Sequence, residues 1–192
     1  LIITAAGGLG HEQLVELVTN QLEQVGWTEP GVPRPRRAQQ PAALPEPQPV
    51  RIIQKDVQQA NLLLGHQSLH AMDSQRYALG IMNTILGGGM SSRLYQEIRE
   101  DRGLAYSTYS YQQGYSDAGF FGMYAGCNPE NAGLVVDLMR NGLDGIAQSG
   151  VTDHEFELAL GNITGGLALR FEGMLSRMNR LLGAELGSGG WL

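Results

Sequence analysis

A cluster of prolines divides this sequence into two unequal parts. Seven of the eight prolines lie between residues 29 and 49, where they are interspersed with Ala, Gln, Glu and Arg. Because proline lacks a backbone N–H donor, this spacing supports neither an α-helix nor a central β-strand. The pattern predicts an extended linker over residues 26–49, with folded structure before it (1–25) and after it (50–192).

The composition excludes several classes of protein. The 192-residue chain is 42% apolar and 17% charged, which is typical of a folded protein with a buried core. It contains no apolar run of about 18 residues, and its net charge of -6 argues against a nucleic-acid partner. A single cysteine, Cys127, excludes an intrachain disulfide framework. With no signal peptide visible and no paired cysteines, we expect a cytoplasmic location and no membrane partner.

The residues before the linker have the pattern of a strand followed by a helix. Leu1–Ala6 is an apolar run, Gly7–Gly10 predicts a turn, and apolar residues recur at steps of three and four from His11 onward. A chain that opens inside a strand is unusual, so we expect residues 1–25 to be the tail of a larger upstream domain. The alternative is a genuine edge strand that follows a processed leader.

The residues after the linker predict an α+β fold. Strand patterns cover 50–53, 59–67, 105–113 and 119–127, and the last two predict a hairpin. Helices are expected after Asp73 or Ser74, after Ser91 or Ser92, after Asn128-Pro129, after the capping box Thr152–Glu155, and from Met174. The order of these elements favours an antiparallel sheet with helices packed on one face.

Two candidate binding motifs lack the residues that their chemistry needs. His66 and His70 are four residues apart, but they fall at the end of a strand and in the next turn, so their side chains need not converge. Neither H-x-x-E-H nor H-E-x-x-H occurs in the chain. The glycines at 87–89 lack the Gly-Lys-Ser/Thr of a phosphate-binding loop and predict a tight turn between helices. We therefore expect no metal ligands in this chain.

One arginine and one tyrosine form a sharper candidate. Arg99 falls near the end of a short predicted helix and Tyr106 at the start of the next strand. A tight turn at Arg102-Gly103 would let the two side chains reach a common point. A fixed positive charge beside a neutral donor suits a developing oxyanion or a substrate carbonyl. On spacing alone, a surface arginine and a half-buried strand tyrosine is the stronger interpretation.

The segment GGGMSSRLYQEIREDRGLAYSTYS, which begins at Gly87, resembles the pitrilysin/insulinase superfamily of zinc metallopeptidases, especially the branch similar to the mitochondrial processing peptidase. The segment LIITAAGGLGHEQLVELV supports the resemblance, which covers nearly the whole chain except the linker. In this family an N-terminal half carries an H-x-x-E-H zinc motif and a distal Glu. A similar C-terminal half closes over it and contributes an Arg-x6-Tyr pair, which falls on Arg99 and Tyr106.

The resemblance implies that the chain is most of a C-terminal half. Residues 1–25 would end the zinc-bearing domain, and residues 50–192 would form a peptidase-like domain that is incomplete at its C-terminus. The implied activity is zinc-dependent hydrolysis of peptides or unfolded polypeptides, with zinc bound by the missing N-terminal half, which is also the implied partner. Arg99 and Tyr106 would hold the substrate and stabilise the oxyanion, and Arg93 would help to orient the substrate. The chain alone would be inactive, and the whole protein could be a homodimer or heterodimer.

Two other functions stay open at this point. The chain could be a non-catalytic structural or partner subunit of a processing-peptidase-like complex, since some peptidases divide the two halves between chains. Intact Arg99 and Tyr106 favour the catalytic half, because a scaffold has no need for the pair. An H-x-x-E-H motif encoded in frame upstream of Leu1 would support the enzyme, and its absence would support the partner subunit. An unrelated α+β binding module would require the glycine-block match to be chance.

Overall fold

The computed structural model describes residues 1–27 and 58–188 and has the predicted α+β architecture. Most of the predicted linker and the predicted strand over 50–53 lie outside these residues. The described elements are α1 (His11–Gln24), β1 (Ala60–Ser68), α2 (Arg76–Gly87), a π-helix (Tyr95–Asp101), β2 (Ala105–Gly114), β3 (Gly119–Cys127), a 3-10 turn (Pro129–Asn131), α3 (Ala132–Ser149), α4 (Asp153–Arg170) and α5 (Met174–Ser188). Within the described ranges, no helix is both long and apolar enough to cross a membrane.

The sheet is antiparallel, with its three strands in the order β1-β3-β2. The predicted hairpin of β2 and β3 is confirmed, and β1 pairs with the other side of β3. Met123 in the central strand lies between Leu64 of β1 and Ser110 of β2. Because side chains alternate along a strand, this register separates an inner face, which carries Met123, from an outer face, which carries Tyr124.

The hydrophobic core lies between the inner face of the sheet and the helices packed on it, α2, α3 and the π-helix. The largest fully buried apolar side chains come from these helices and the segment that leads into the π-helix: Leu86, Leu94, Ile98, Val135 and Met139. Burying each of them contributes about 1.5–3 kcal/mol relative to exposure. Leu94 and Ile98 thereby fix one side of the π-helix segment against the core.

The helices begin and end largely where the capping signals in the sequence predicted. The Thr152–Glu155 capping box is complete at the start of α4. The Asn128 side chain accepts a hydrogen bond from the Glu130 backbone N–H before α3. The glycine run ends α2 at Gly87, as predicted. Asp73 accepts a hydrogen bond from the Gln75 backbone N–H at 2.8 Å, just before the first residue of α2.

The predicted strand at the start of the chain is wrong. Leu1–Ala6 forms no strand, and Leu1, Ile2 and Ile3 are exposed, because no described strand offers them a hydrogen-bonding partner. An apolar run becomes a strand only where a neighbouring strand satisfies its backbone groups. The short helix predicted after Ser91 or Ser92 is present, and it has π geometry from Tyr95 onward, a feature of hydrogen bonding that apolar spacing does not reveal.

Candidate active-site pair

Tyr106 lies on a β-bulge at the start of β2. Ala105 pairs with Cys127 and Ser107 pairs with Gly126, the next residue back along β3, so Tyr106 has no partner across the strand. An extra residue of this kind frees a side chain from the regular alternation of the strand. The Tyr106 side chain is accordingly 83% exposed, although it follows a buried alanine.

Arg99 projects from the π-helix towards this exposed tyrosine. Its guanidinium carbon lies 5.0 Å from the centre of the Tyr106 ring and 4.8 Å from the centre of the Tyr95 ring. Both distances are within the range of cation–π attraction. The Arg99 side chain is 35% exposed, and its Nε also lies 3.7 Å from a carboxylate oxygen of Glu100. The structure therefore brings Arg99 and Tyr106 together.

The backbone between the π-helix and β2 explains this approach. Gly103 donates a hydrogen bond to the carbonyl of Arg99 at 3.1 Å, and Leu104 donates one to the carbonyl of Ile98 at 2.9 Å. Gly103 has a φ of 61°, a left-handed conformation that favours glycine. The chain reverses here within two residues, which places the end of the π-helix beside the start of β2.

Tyr95 is a site residue that the sequence analysis did not identify. The structure places its side chain half-buried against Arg99. The two residues are four apart, and this spacing brings side chains together on a helix surface. That spacing is the signal that could have identified Tyr95 as the second ring beside the guanidinium.

Arg93 has a different partner. Its Nε donates to Glu155 Oε1 at 2.6 Å, and its Nη2 donates to Glu155 Oε2 at 2.9 Å and to the carbonyl of Gly150 at 3.1 Å. The hydrogen bond from Arg93 is the main reason that the pKa of Glu155 falls to about 2, and burial partly opposes it. Arg93 therefore joins the segment before the π-helix to the start of α4. That Arg93 also orients substrate stays a prediction.

The described residues do not form a metal site. Within 1–27 and 58–188, no three His, Cys, Asp or Glu side chains lie close enough together to hold a metal ion. His66 Nδ1 lies 2.6 Å from the carbonyl of Gln67, whereas His70 Nε2 lies 3.8 Å from Asp73 Oδ2. Zinc requires three or four converging protein ligands, so the side chains described here do not fit it.

The fold and the paired side chains define an α+β domain with a half-buried guanidinium beside an exposed phenol at one end of its sheet. The chain belongs to the peptidase M16 inactive domain family, whose model matches residues 1–162. This match confirms the predicted pitrilysin-type superfamily, whereas the processing-peptidase-like branch stays a prediction. The division into domains at residues 25 and 50 is likewise a prediction.

Several known proteins are similar to the chain. A protein of Streptomyces coelicolor named as an uncharacterized zinc protease is 41% identical over 97% of this chain and 41% of its own length. A Mycobacterium tuberculosis H37Rv protein with the same description is 36% identical over 98% of the chain and 43% of its own length. The chain thus spans about two-fifths of these relatives.

Solved structures agree with the fold. A protease from Helicobacter pylori superposes with a TM-score of 0.75 at 20% identity, covering 96% of this chain and 44% of its own. A conserved protein from Enterococcus faecalis V583 superposes with a TM-score of 0.69 at 23% identity, covering 97% and 42%. At these identities the structures support the architecture alone.

Proposed function

We propose that this chain is the C-terminal half of a zinc-dependent metalloendopeptidase and that Arg99 and Tyr106 contact its peptide substrate. The observation that carries the proposal is the 5.0 Å contact between the Arg99 guanidinium and the exposed Tyr106 ring. The description of the relatives as zinc proteases supports the reaction class. Zinc would be held by an N-terminal half, because the described residues of this chain offer no ligand set.

The two side chains suit the binding of a peptide carbonyl. The guanidinium offers several N–H donors, and the phenol offers one O–H donor next to it. Both would donate to a main-chain carbonyl oxygen of the substrate, and these bonds would strengthen as negative charge develops on that oxygen. The Tyr95 ring supports the guanidinium and helps to orient its donors. We expect the substrate to be a peptide or unfolded polypeptide, and the location to be the bacterial cytoplasm.

The test uses the full-length protein and a fluorogenic peptide that it cleaves. Arg99→Ala and Tyr106→Phe should each lower kcat/KM by about 10²-fold or more, with unchanged zinc content measured by atomic absorption. The matched control is the chain's Arg76–Tyr77 contact, where the guanidinium carbon lies 4.2 Å from the ring centre. Arg76→Ala and Tyr77→Phe should change kcat/KM by less than about threefold.

Three results would contradict the proposal. Loss of zinc from the Arg99→Ala protein would mean that Arg99 supports the metal site rather than the substrate. Unchanged turnover in both Arg99→Ala and Tyr106→Phe would leave the pair without a catalytic role. If the zinc-loaded wild-type protein cleaves no peptide, the non-catalytic partner subunit becomes the better explanation. The isolated chain is expected to bind no stoichiometric zinc and to cleave nothing.

A further inference from the structure

The Arg93 guanidinium lies close to both α3 and the start of α4. Its Nε and Nη2 donate to the two carboxylate oxygens of Glu155, and Nη2 also donates to the carbonyl of Gly150. A Cβ added to Gly145 of α3 would lie 3.5 Å from Arg93 Nη1, so α3 passes close to the same guanidinium. Three of the five N–H donors of this guanidinium are therefore used by the protein itself.

Arg93 and the residues around Arg99 border different cavities. Arg93 borders a cavity of about 600 Å³ that also contacts Asn141 of α3. Tyr95, which contacts the Arg99 guanidinium, instead borders a separate cavity of about 360 Å³ next to β2. Among the described residues, the two cavities have no lining residue in common. The geometry therefore favours an effect of Arg93 on Arg99 over a direct contact of Arg93 with the carbonyl held by Arg99 and Tyr106.

One short segment carries both arginines. Leu94 and Ile98 are fully buried and hold one side of this segment against the core. Apolar contacts are non-directional, whereas a two-point arginine–carboxylate contact has a fixed geometry. Arg93 makes such a contact just before the π-helix begins. Tyr95 follows two residues later, and its ring centre lies 4.8 Å from the guanidinium carbon of Arg99. A displacement of this turn would therefore move the ring that supports Arg99.

We propose that Arg93 is a positioning residue, which fixes the turn before the π-helix by binding Glu155 and thereby aligns the Arg99 guanidinium with the substrate carbonyl. This inference rests on the proposed function, because alignment matters for turnover when Arg99 donates to the substrate. A misplacement of about 1 Å at a reacting centre can lower a rate by about 10²-fold. Arg93 itself contacts no substrate, and its effect on the reaction is transmitted through Arg99.

The test is a double-mutant cycle in the zinc-loaded full-length protein, with a fluorogenic peptide that it cleaves. Arg93→Ala should lower kcat about tenfold. It should change KM by less than about threefold, because the bonds from Arg99 strengthen mainly in the transition state. In the Arg99→Ala background, the same substitution should change kcat by less than about twofold, since Arg99 is no longer there to be misaligned.

Two further variants separate positioning from other effects. Glu155→Gln keeps Arg93 but removes its charged partner, so it should lower kcat several-fold, and adding Arg93→Ala should lower it less than about twofold further. If Arg93→Ala does not fold, the cycle between Glu155→Gln and Arg99→Ala gives the answer. Arg102→Ala is the matched control: Arg102 forms an exposed 3.3 Å ion pair with Glu97 of the π-helix, and its loss should change kcat less than about twofold. Circular dichroism would establish that each variant is folded at the assay temperature.

The outcomes separate this inference from the proposed function. Equal losses from Arg93→Ala in the wild-type and Arg99→Ala backgrounds, with kcat unchanged in Glu155→Gln, would mean that Arg93 contacts the substrate itself and would overturn the inference. Unchanged turnover in Arg93→Ala and Glu155→Gln would also overturn it, whereas a 10²-fold loss in Arg99→Ala would still retain the proposed function. Unchanged turnover in Arg99→Ala, or a wild-type protein that cleaves no peptide, would reject both.

Discussion

Replacing Glu155 with Gln tests the connection between α4 and the segment that precedes the π-helix. Arg93 binds both oxygens of the Glu155 carboxylate across 62 residues of sequence. The same carboxylate accepts a hydrogen bond from the backbone N–H of Thr152 at 2.8 Å. Glutamine keeps the length of the side chain and one acceptor oxygen. The substitution therefore removes the two-point charged contact with Arg93 and can retain the bond to Thr152.

The expected size of the effect follows from the pKa of Glu155. The hydrogen bond from Arg93 is the largest cause that lowers this pKa from 4.5 to about 2. The difference corresponds to an upper limit of about 3 kcal/mol, at about 1.4 kcal/mol per pH unit. The side chains of Arg93 and Glu155 are 26% and 24% exposed, so solvent and salt weaken the contact. We expect Glu155→Gln to lower the free energy of unfolding by about 1–2 kcal/mol near neutral pH.

The direction of the pKa shift determines how the stabilisation by Glu155 changes with pH. Because the pKa of Glu155 is lower in the folded state than in the unfolded state, the stabilisation is fully present above the unfolded value of 4.5. It is lost as the pH falls through the folded value of about 2. The difference in stability between the wild-type and Glu155→Gln proteins should therefore shrink steadily as the pH is lowered from about 5 towards 2.

Urea unfolding followed by circular dichroism measures this difference. Wild-type and Glu155→Gln proteins would be compared near pH 7 and near pH 3. Glu157→Gln is the matched control, because this exposed residue lies on the same helix and should change stability by less than about 0.5 kcal/mol. A loss of stability in Glu155→Gln of the same size at both pH values would refute the charge-based explanation and assign the effect to helix capping.

Three further predictions concern the packing of the domain. Gly87→Ala should destabilise it by about 3 kcal/mol in thermal unfolding, because the new Cβ would lie 2.2 Å from the backbone nitrogen of Ser110. Gly161→Ala in α4, where an added Cβ would meet nothing within 4 Å, should stabilise the domain by about 0.5–1 kcal/mol. Equal effects of Gly87→Ala and Gly161→Ala on stability would contradict this explanation. Ile98→Ala, at a position with 0% exposure, should lower the urea-unfolding free energy by about 2–5 kcal/mol, and a change below about 1 kcal/mol would place Ile98 outside the core. Burial raises the pKa of the Cys127 thiol, so iodoacetamide should label it slowly in folded protein and rapidly in urea; equal rates would mean that the thiol is accessible.

Elements with local signals could be predicted from the sequence. The Thr152–Glu155 capping box marks the start of α4, and the Gly87 run marks the end of α2. The strand patterns and the turn between them predicted the β2–β3 hairpin, whereas its register was first given by the structure. Leu1–Ala6 shows the limit of such reasoning. Strand formation depends on a neighbouring strand, and no pattern inside six residues shows whether one is present.

The candidate site could be predicted in part. The family resemblance identified Arg99 and Tyr106, which the structure brings into contact. It did not reveal the bulge that exposes Tyr106 or the Tyr95 ring beside Arg99. Nor did the sequence connect Arg93 with Glu155, because residues so far apart in the chain become neighbours only when α4 packs beside α2.

The sequence by itself determined the α+β class, the hairpin and the helix ends, because these features depend on interactions between residues close together in the chain. The tertiary structure alone decided which side chains meet. It placed the Arg99 guanidinium beside two tyrosine rings and directed Arg93 to Glu155. These arrangements depend on how strands and helices pack, and packing is set by contacts between distant parts of the chain.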